Sequence, residues 1–68
     1  MNVTVNGESR RLPAGATVAS VVELLHVAPG ARGVAIAVDG EVVARVRWPE
    51  TELREGALVE VVAAIGGG

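Results

Sequence analysis

The sequence predicts one α+β domain in which a five-stranded mixed sheet carries a single helix on one face. Two pairs of extended segments are joined by glycine turns, one by Asn6-Gly7 and the other by Asp39-Gly40. Only one segment of the chain has a helical apolar stripe. The 68 residues suffice for one small domain with a thin core. Since one helix cannot cover two faces of a sheet, the other face is expected to lie open.

The first two strands form a predicted hairpin. Residues 1–5 alternate apolar and polar side chains, the period of a half-buried strand. Asn6-Gly7 favours a type I′ turn, in which both central residues need positive φ. Residues 8–12 then return as a mostly polar strand, and Arg10 and Arg11 suit an exposed sheet edge.

The predicted helix begins after Thr17, whose hydroxyl can accept a hydrogen bond from the first turn. Ser20 and Glu23 fall off its apolar stripe and are expected to face water. Pro29-Gly30 is predicted to end the helix. The stripe has the spacing i, i+3, i+4 and i+7 and consists of Val18, Val21, Val22 and Leu25.

The second half of the chain is predicted to contain three further strands and one irregular connection. Residues 34–38 and 41–45 form a hairpin through Asp39-Gly40. Residues 46–56 are charged and irregular, with Trp48 and Leu53 as apolar anchors. Residues 58–65 make the most apolar strand, and this mostly continuous apolar character suits a central position in the sheet.

The resulting order β-β-α-β-β-β, with the last strand central and parallel to the first, is that of the β-grasp or ubiquitin-like fold. We expect residues 1–65 to form this domain and residues 66–68 to form a flexible glycine tail. Glycine has no side chain to pack and loses most conformational entropy when ordered. Such a tail extends at most about 10–11 Å and presents the Gly68 carboxylate, although a frayed terminus is the alternative.

Composition excludes several classes of function. The chain has no cysteine and one histidine, so we expect no disulfide scaffold, thiol nucleophile, metal site or bound cofactor. A net charge of −2, with six arginines and no lysine, argues against nucleic-acid binding. No run approaches the roughly 20 apolar residues of a membrane span, and residues 1–4 do not resemble a secretory signal. We expect a cytoplasmic protein without membrane partners.

Several stretches together resemble a known family. They are the hairpin of residues 34–43, Arg45 and Trp48 followed by residues 50–53, and the ending of residues 61–68. Nearly the whole chain resembles the ubiquitin-like sulfur carriers of bacteria (ThiS/MoaD-like), and most of all the thiamine-biosynthesis carriers of the ThiS family. The chain departs from the family pattern at Ala44, where proline is frequent, and at Gly66, which extends the usual Gly-Gly ending to three glycines.

This resemblance implies that the protein is a carrier and not an enzyme. A ThiF-like adenylyltransferase, using ATP and magnesium, would activate the Gly68 carboxylate as an acyl-adenylate. Sulfur relayed through a persulfide would convert it to a thiocarboxylate, which would supply a ThiG-like thiazole synthase. Gly66 and Gly67 would thread the tail through the partner's narrow channel.

Two alternatives remain open at the level of sequence. One is a sulfur carrier for another pathway, such as the small subunit of molybdopterin synthase. Those proteins tend to be longer and to contain phenylalanine, which this chain lacks. The other alternative is a non-catalytic β-grasp binding module in which the glycines are incidental.

A docking surface is predicted on the sheet face opposite the helix. Only Glu60 is charged in the last strand, so an apolar patch should stay exposed there, and such patches often mark interaction sites. The residues predicted to dock the partner are Val59, Val62, Ala64 and Ile65.

The remaining chemically notable side chains have structural interpretations. Trp48 is predicted to fill the thin core rather than to anchor a partner. His26 lies near the predicted helix end and has no catalytic partner in the sequence. Three carboxylates, Glu50, Glu52 and Glu55, suggest a solvated face more than a metal site. Three guanidinium groups could meet an acidic partner or be neutralised by those glutamates: Arg45, Arg47 and Arg54.

Overall fold

The computed structural model describes residues 1–25 and 33–63. Five strands, one α-helix and one 3₁₀ helix follow one another within these ranges. In chain order they are β1 (Asn2–Val5), β2 (Glu8–Arg11), α1 (Val18–Leu24), β3 (Val34–Val38), β4 (Glu41–Val43), the 3₁₀ helix (Arg45–Glu50) and β5 (Leu58–Ala63).

The five strands form one mixed sheet in the order β2-β1-β5-β3-β4. The last strand, β5, lies at the centre and runs parallel to β1, with Thr4 opposite Leu58. All other neighbouring strands are antiparallel. The predicted fold class and the predicted place of the last strand are therefore confirmed.

Both predicted hairpin turns have the type I′ backbone. Asn6 and Gly7 have φ of 50° and 83°, and Asp39 and Gly40 have φ of 51° and 86°. Side chains other than asparagine and aspartate tolerate this left-handed region poorly, which explains why these two residue types occupy the first position of each turn.

Helix α1 begins at the predicted cap. The Thr17 side chain accepts from the Ser20 amide, and the Ser20 hydroxyl accepts from the Thr17 amide. Ser20 was expected to face water; it is instead half-buried, because this reciprocal cap holds it against the first turn. The helix ends at Leu24, with Leu25 as its C-cap. The predicted stop at Pro29-Gly30 lies outside the described residues.

The core lies between α1 and one face of the sheet. Val18 and Val21 of the helix are fully buried, as is Ile36 of β3. Val3 and Val59, each 1% exposed, belong to it from β1 and β5. Among the residues that the structure describes, no buried side chain is polar or charged, so packing of aliphatic groups is what joins the helix to the sheet.

Two expectations about the second half are wrong. The fourth strand ends at Val43 rather than at residue 45, and Arg45–Glu50 form a 3₁₀ helix where irregular chain was expected. Strand β5 is central, and Leu58 and Val62 on its open side are 57% and 62% exposed. The single helix covers only one side of the sheet, so the other side of β5 faces solvent.

Candidate functional site

The predicted carrier tail, residues 66–68, follows the described part of the chain, which ends at residue 63. Residues Gly66, Gly67 and Gly68 lie outside the described residues, as do Ala64 and Ile65 of the predicted docking set and His26 after the helix. Their roles stay predictions. The structure does describe the strand that leads into the tail, since β5 is followed to Ala63 at the centre of the sheet.

Strand β5 has one buried and one exposed face. Val59 is 1% exposed and packs in the core, so its predicted place on an exposed docking surface is wrong. Side chains alternate between the faces of a strand, and Val59 and Val62 differ in parity. Val62 points to the open face, as a docking residue requires.

An exposed apolar surface, here called the open-face patch, crosses three neighbouring strands. Its register is set by Ala35 opposite Val62 and by Ala37 opposite both Glu60 and Val42. The side chain of Val42 is 77% exposed. The patch therefore comprises Val42, Ala37, Ala35, Leu58 and Val62, with Glu60 as the charged residue among them.

Of the apolar residues of this patch, the sequence predicted only Val62; it did not predict Val42, Leu58, Ala35 or Ala37. A signal for Leu58 was present, because Glu60 must face water and residues 58 and 62 share its side of the strand. Val42 could be placed only through its pairing with Ala37, which depends on the register of the second hairpin.

Two turn residues hold β5 from opposite sides. The Asn6 side chain donates from Nδ2 to the Val61 carbonyl (3.1 Å) and accepts the Val61 amide at Oδ1 (2.8 Å). Asp39 accepts the Leu58 amide at Oδ1 (3.0 Å), and its own amide donates to the Leu58 carbonyl (2.8 Å). The sequence predicted both turns but not these contacts with the last strand.

Trp48 fills the core as predicted. Its side chain is 7% exposed, and its indole Nε1 donates to the Val43 carbonyl at 2.9 Å. The guanidinium carbon of Arg45 lies 5.0 Å from the ring centroid, a distance suited to a cation–π contact. The tryptophan thereby joins the 3₁₀ helix to the end of β4.

The charged loop residues are mostly solvated. Glu50 and Glu52 are exposed, while the Glu55 carboxylate accepts the Asn2 amide at 3.0 Å. Arg54 pairs with Asp39 at 3.4 Å rather than with the neighbouring glutamates. In the described ranges, no three potential metal-ligating side chains come together.

No helix within residues 1–25 and 33–63 is long and apolar enough to cross a membrane.

The architecture and the open face define the class of this protein. A mixed sheet with the last strand at its centre, one helix across one face and an apolar patch on the other is a β-grasp domain of the ubiquitin-like kind. The ThiS family model matches residues 3–68, and the chain belongs to that family of small carrier proteins.

Two solved structures are similar to the chain over its full length. The crystal structure of the thiamine biosynthesis protein ThiS from Geobacter metallireducens is 33% identical, with a TM-score of 0.79 and complete coverage of both chains. A solution structure of a thiamine biosynthesis protein from the same organism is also 33% identical, with a TM-score of 0.77; the match covers all of this chain and 88% of that one. A search of curated proteins finds no significant match.

Proposed function

We propose that this protein carries sulfur for thiamine biosynthesis as a thiocarboxylate on Gly68. The observation that carries the proposal is the family match, which runs from residue 3 through residue 68 and so includes the three terminal glycines. The proposal is further supported by the two similar structures, both of thiamine biosynthesis proteins.

The first chemical step activates a poor electrophile. The carboxylate of Gly68 attacks the α-phosphorus of ATP in a ThiF-like adenylyltransferase, which holds magnesium and releases pyrophosphate. A carboxylate resists nucleophiles, whereas the acyl-adenylate has AMP as a good leaving group. This protein supplies the acyl carbon, and the partner supplies the catalytic groups.

The second step installs sulfur. The terminal sulfur of a persulfide attacks the acyl carbon, AMP leaves, and an acyl disulfide forms. A thiol then cleaves the sulfur–sulfur bond, supplies the two electrons and leaves the thiocarboxylate on Gly68. A ThiG-like thiazole synthase receives this sulfur, and we place these steps in the cytoplasm, where ATP is available.

The tail and the open-face patch act together in this scheme. Gly66 and Gly67 thread a narrow channel of the partner because they carry no side chains. Val62 and Leu58 dock against the partner beside the channel, and we extend this surface to Ala64 and Ile65. The exposed fractions of Val62 and Leu58, 62% and 57%, support a role in docking.

Intact-mass measurement tests the proposal directly. The purified protein is incubated with the adenylyltransferase, ATP, magnesium, a persulfide donor and a reducing thiol. We expect the mass to rise by the difference between one sulfur and one oxygen atom. An unchanged mass, under conditions in which the same reagents modify a known ThiS protein, would contradict the proposal.

Truncation tests whether the tail is the reacting part. Removal of residues 66–68 is expected to abolish the mass gain while leaving the melting temperature unchanged. The matched control lacks one glycine, ends in the Gly-Gly pair common in the family, and is shorter by at most about 3.6 Å; we expect it to be modified. Modification of the chain without glycines would place the sulfur elsewhere.

A further inference from the structure

We infer that Asn6 is a positioning residue for the carrier reaction, because its side chain fixes the direction in which β5 leaves the fold. The inference rests on the proposed function and adds a residue to it. The observation is that the Asn6 amide group bonds both the N–H and the C=O of Val61, at 2.8 and 3.1 Å.

The side chain of Asn6 continues a ladder that the backbone of β1 has left. Backbone amides of Thr4 and Asn6 donate to the carbonyls of Ala57 and Val59, each at 2.9 Å. Strand β1 then turns away at Asn6, where φ is 50°. In the carboxamide, the C=O and one N–H point to the same side, so this one group bonds both the N–H and the C=O of Val61, which a longer β1 would otherwise pair with.

The contact from Asn6 lies near the C-terminal end of β5, on the side that β1 no longer pairs with. On the opposite side β3 follows β5 to its last residue, with Val34 opposite Ala63. Strand pairing with β1 extends only to Val59. Asn6 therefore provides the hold at Val61 on the β1 side, two residues before β5 ends.

The hold at Val61 matters because ends of elements open easily. Terminal segments open more readily than the middle of a sheet, so the two hydrogen bonds from Asn6 add to the pairing with β3 that keeps the end of β5 closed. The partner is taken to bind the tail in one direction only. When the end of β5 opens, fewer molecules hold the tail in that direction, and the apparent affinity for the partner falls. The expected effect is on KM and not on kcat, since bound molecules react as before.

The test compares glycine substitutions at the two turns. Asn6→Gly keeps the positive φ and removes only the side-chain hold on Val61. Asp39→Gly is the control, because it removes the side-chain bond to Leu58 at the start of β5, together with the exposed ion pair to Arg54. Both variants are assayed for the rate of thiocarboxylate formation against protein concentration, and for melting temperature.

We expect Asn6→Gly to raise KM for the adenylyltransferase about threefold to tenfold, the range that lost hydrogen bonds produce, with kcat unchanged. The melting temperatures of Asn6→Gly and Asp39→Gly are expected to fall by similar amounts. Asp39→Gly is not expected to raise KM. In amide exchange, Val61 should lose protection in Asn6→Gly, while the amide of residue 6, bonded to Val59, keeps it.

The outcomes separate the two claims. Equal KM values for Asn6→Gly and Asp39→Gly, or unchanged protection of the Val61 amide, would overturn the positioning role while the wild type is still modified. A wild-type chain that gains no sulfur would instead contradict the proposed function itself, and the positioning role would fall with it.

Discussion

At the scale of single residues, Trp48 shows how a thin aliphatic core accommodates its one aromatic ring. The ring is buried, and the only polar atom of the indole reaches the Val43 carbonyl. Burial of the large ring adds apolar contact, while the hydrogen bond removes the penalty of burying an N–H group. The same bond fixes the 3₁₀ helix against the end of β4.

Replacement of this tryptophan by phenylalanine tests the hydrogen bond together with the fit of the large ring. Trp48→Phe leaves the Val43 carbonyl without its donor and buries a smaller ring, so we expect a loss of at least about 1 kcal/mol in the free energy of unfolding. For a domain of this size that lowers the melting temperature by about 4–8 °C. A melting temperature equal to that of the wild type would show that the bond contributes nothing.

The turn residues mark how far local sequence information extends. Asn-Gly and Asp-Gly predicted positive φ at Asn6 and Asp39, because the backbone of a two-residue turn decides this locally. The hydrogen bonds from Asn6 to Val61 span 55 positions in the sequence. No local sequence pattern spans that many positions, so the contact could be identified only from the order of the strands in the sheet.

At the scale of elements, α1 depends on its cap and its packing. Seven residues make a helix that is marginal in isolation. Three of them, Val18, Val21 and Val22, are buried against the sheet, and the first turn is closed by the pair Thr17 and Ser20. The apolar stripe and the Thr17 cap were readable in the sequence. The serine at the third helical position was not recognised, since glutamate or glutamine usually completes this motif.

Removal of the cap tests its contribution. Thr17→Ala leaves the Ser20 amide without its side-chain acceptor, and we expect it to cost about 1 kcal/mol. Thr17→Ser retains the hydroxyl and serves as the control, with stability close to that of the wild type. Chemical denaturation of the three proteins provides the comparison, and equal stability of Thr17→Ala and Thr17→Ser would contradict the capping role.

Two elements of the second half could not be predicted correctly for different reasons. The 3₁₀ helix contains Pro49 and three charged residues, a composition that also suits a loop, and Trp48 holds it in place only through the distant packing of its ring. The continuous apolar run of β5 does not indicate which alternate residues face the helix. Val59 and Val62 were therefore both predicted to be exposed, although they lie on opposite faces of the strand.

At the scale of the whole molecule, the two faces of the sheet differ in what they contact. One face packs under α1, and the other carries the open-face patch next to the end of β5. The fold class, the strand order around β5 and the family resemblance followed from the sequence. The composition of the patch did not, because it combines residues from β3, β4 and β5 whose neighbourhood depends on register.

A charge placed on the patch tests docking without disturbing the core. Val62→Glu puts a carboxylate beside Glu60 on a site already 62% exposed, so we expect a near-normal melting temperature. Binding to the adenylyltransferase should weaken about tenfold or more, since the new charge would lose water at the interface. Titration calorimetry or the KM of adenylation measures the change.

The matched control for docking is Val46→Glu, which lies on the 3₁₀ helix and is 77% exposed. It adds the same charge away from the open-face patch and is expected to bind the partner normally. Equal weakening by both variants would point to net charge rather than to the patch.

The parallel pairing of β1 with β5 also has a consequence for synthesis. Strands β1 and β5 cannot pair until the ribosome has released the segment that forms β5, because this segment lies more than fifty positions after β1 in the sequence. We therefore expect nascent chains that stop before β5 to stay unfolded and to be cleared by proteases. Translation errors would then rarely produce folded chains that lack the last strand and the glycines after it.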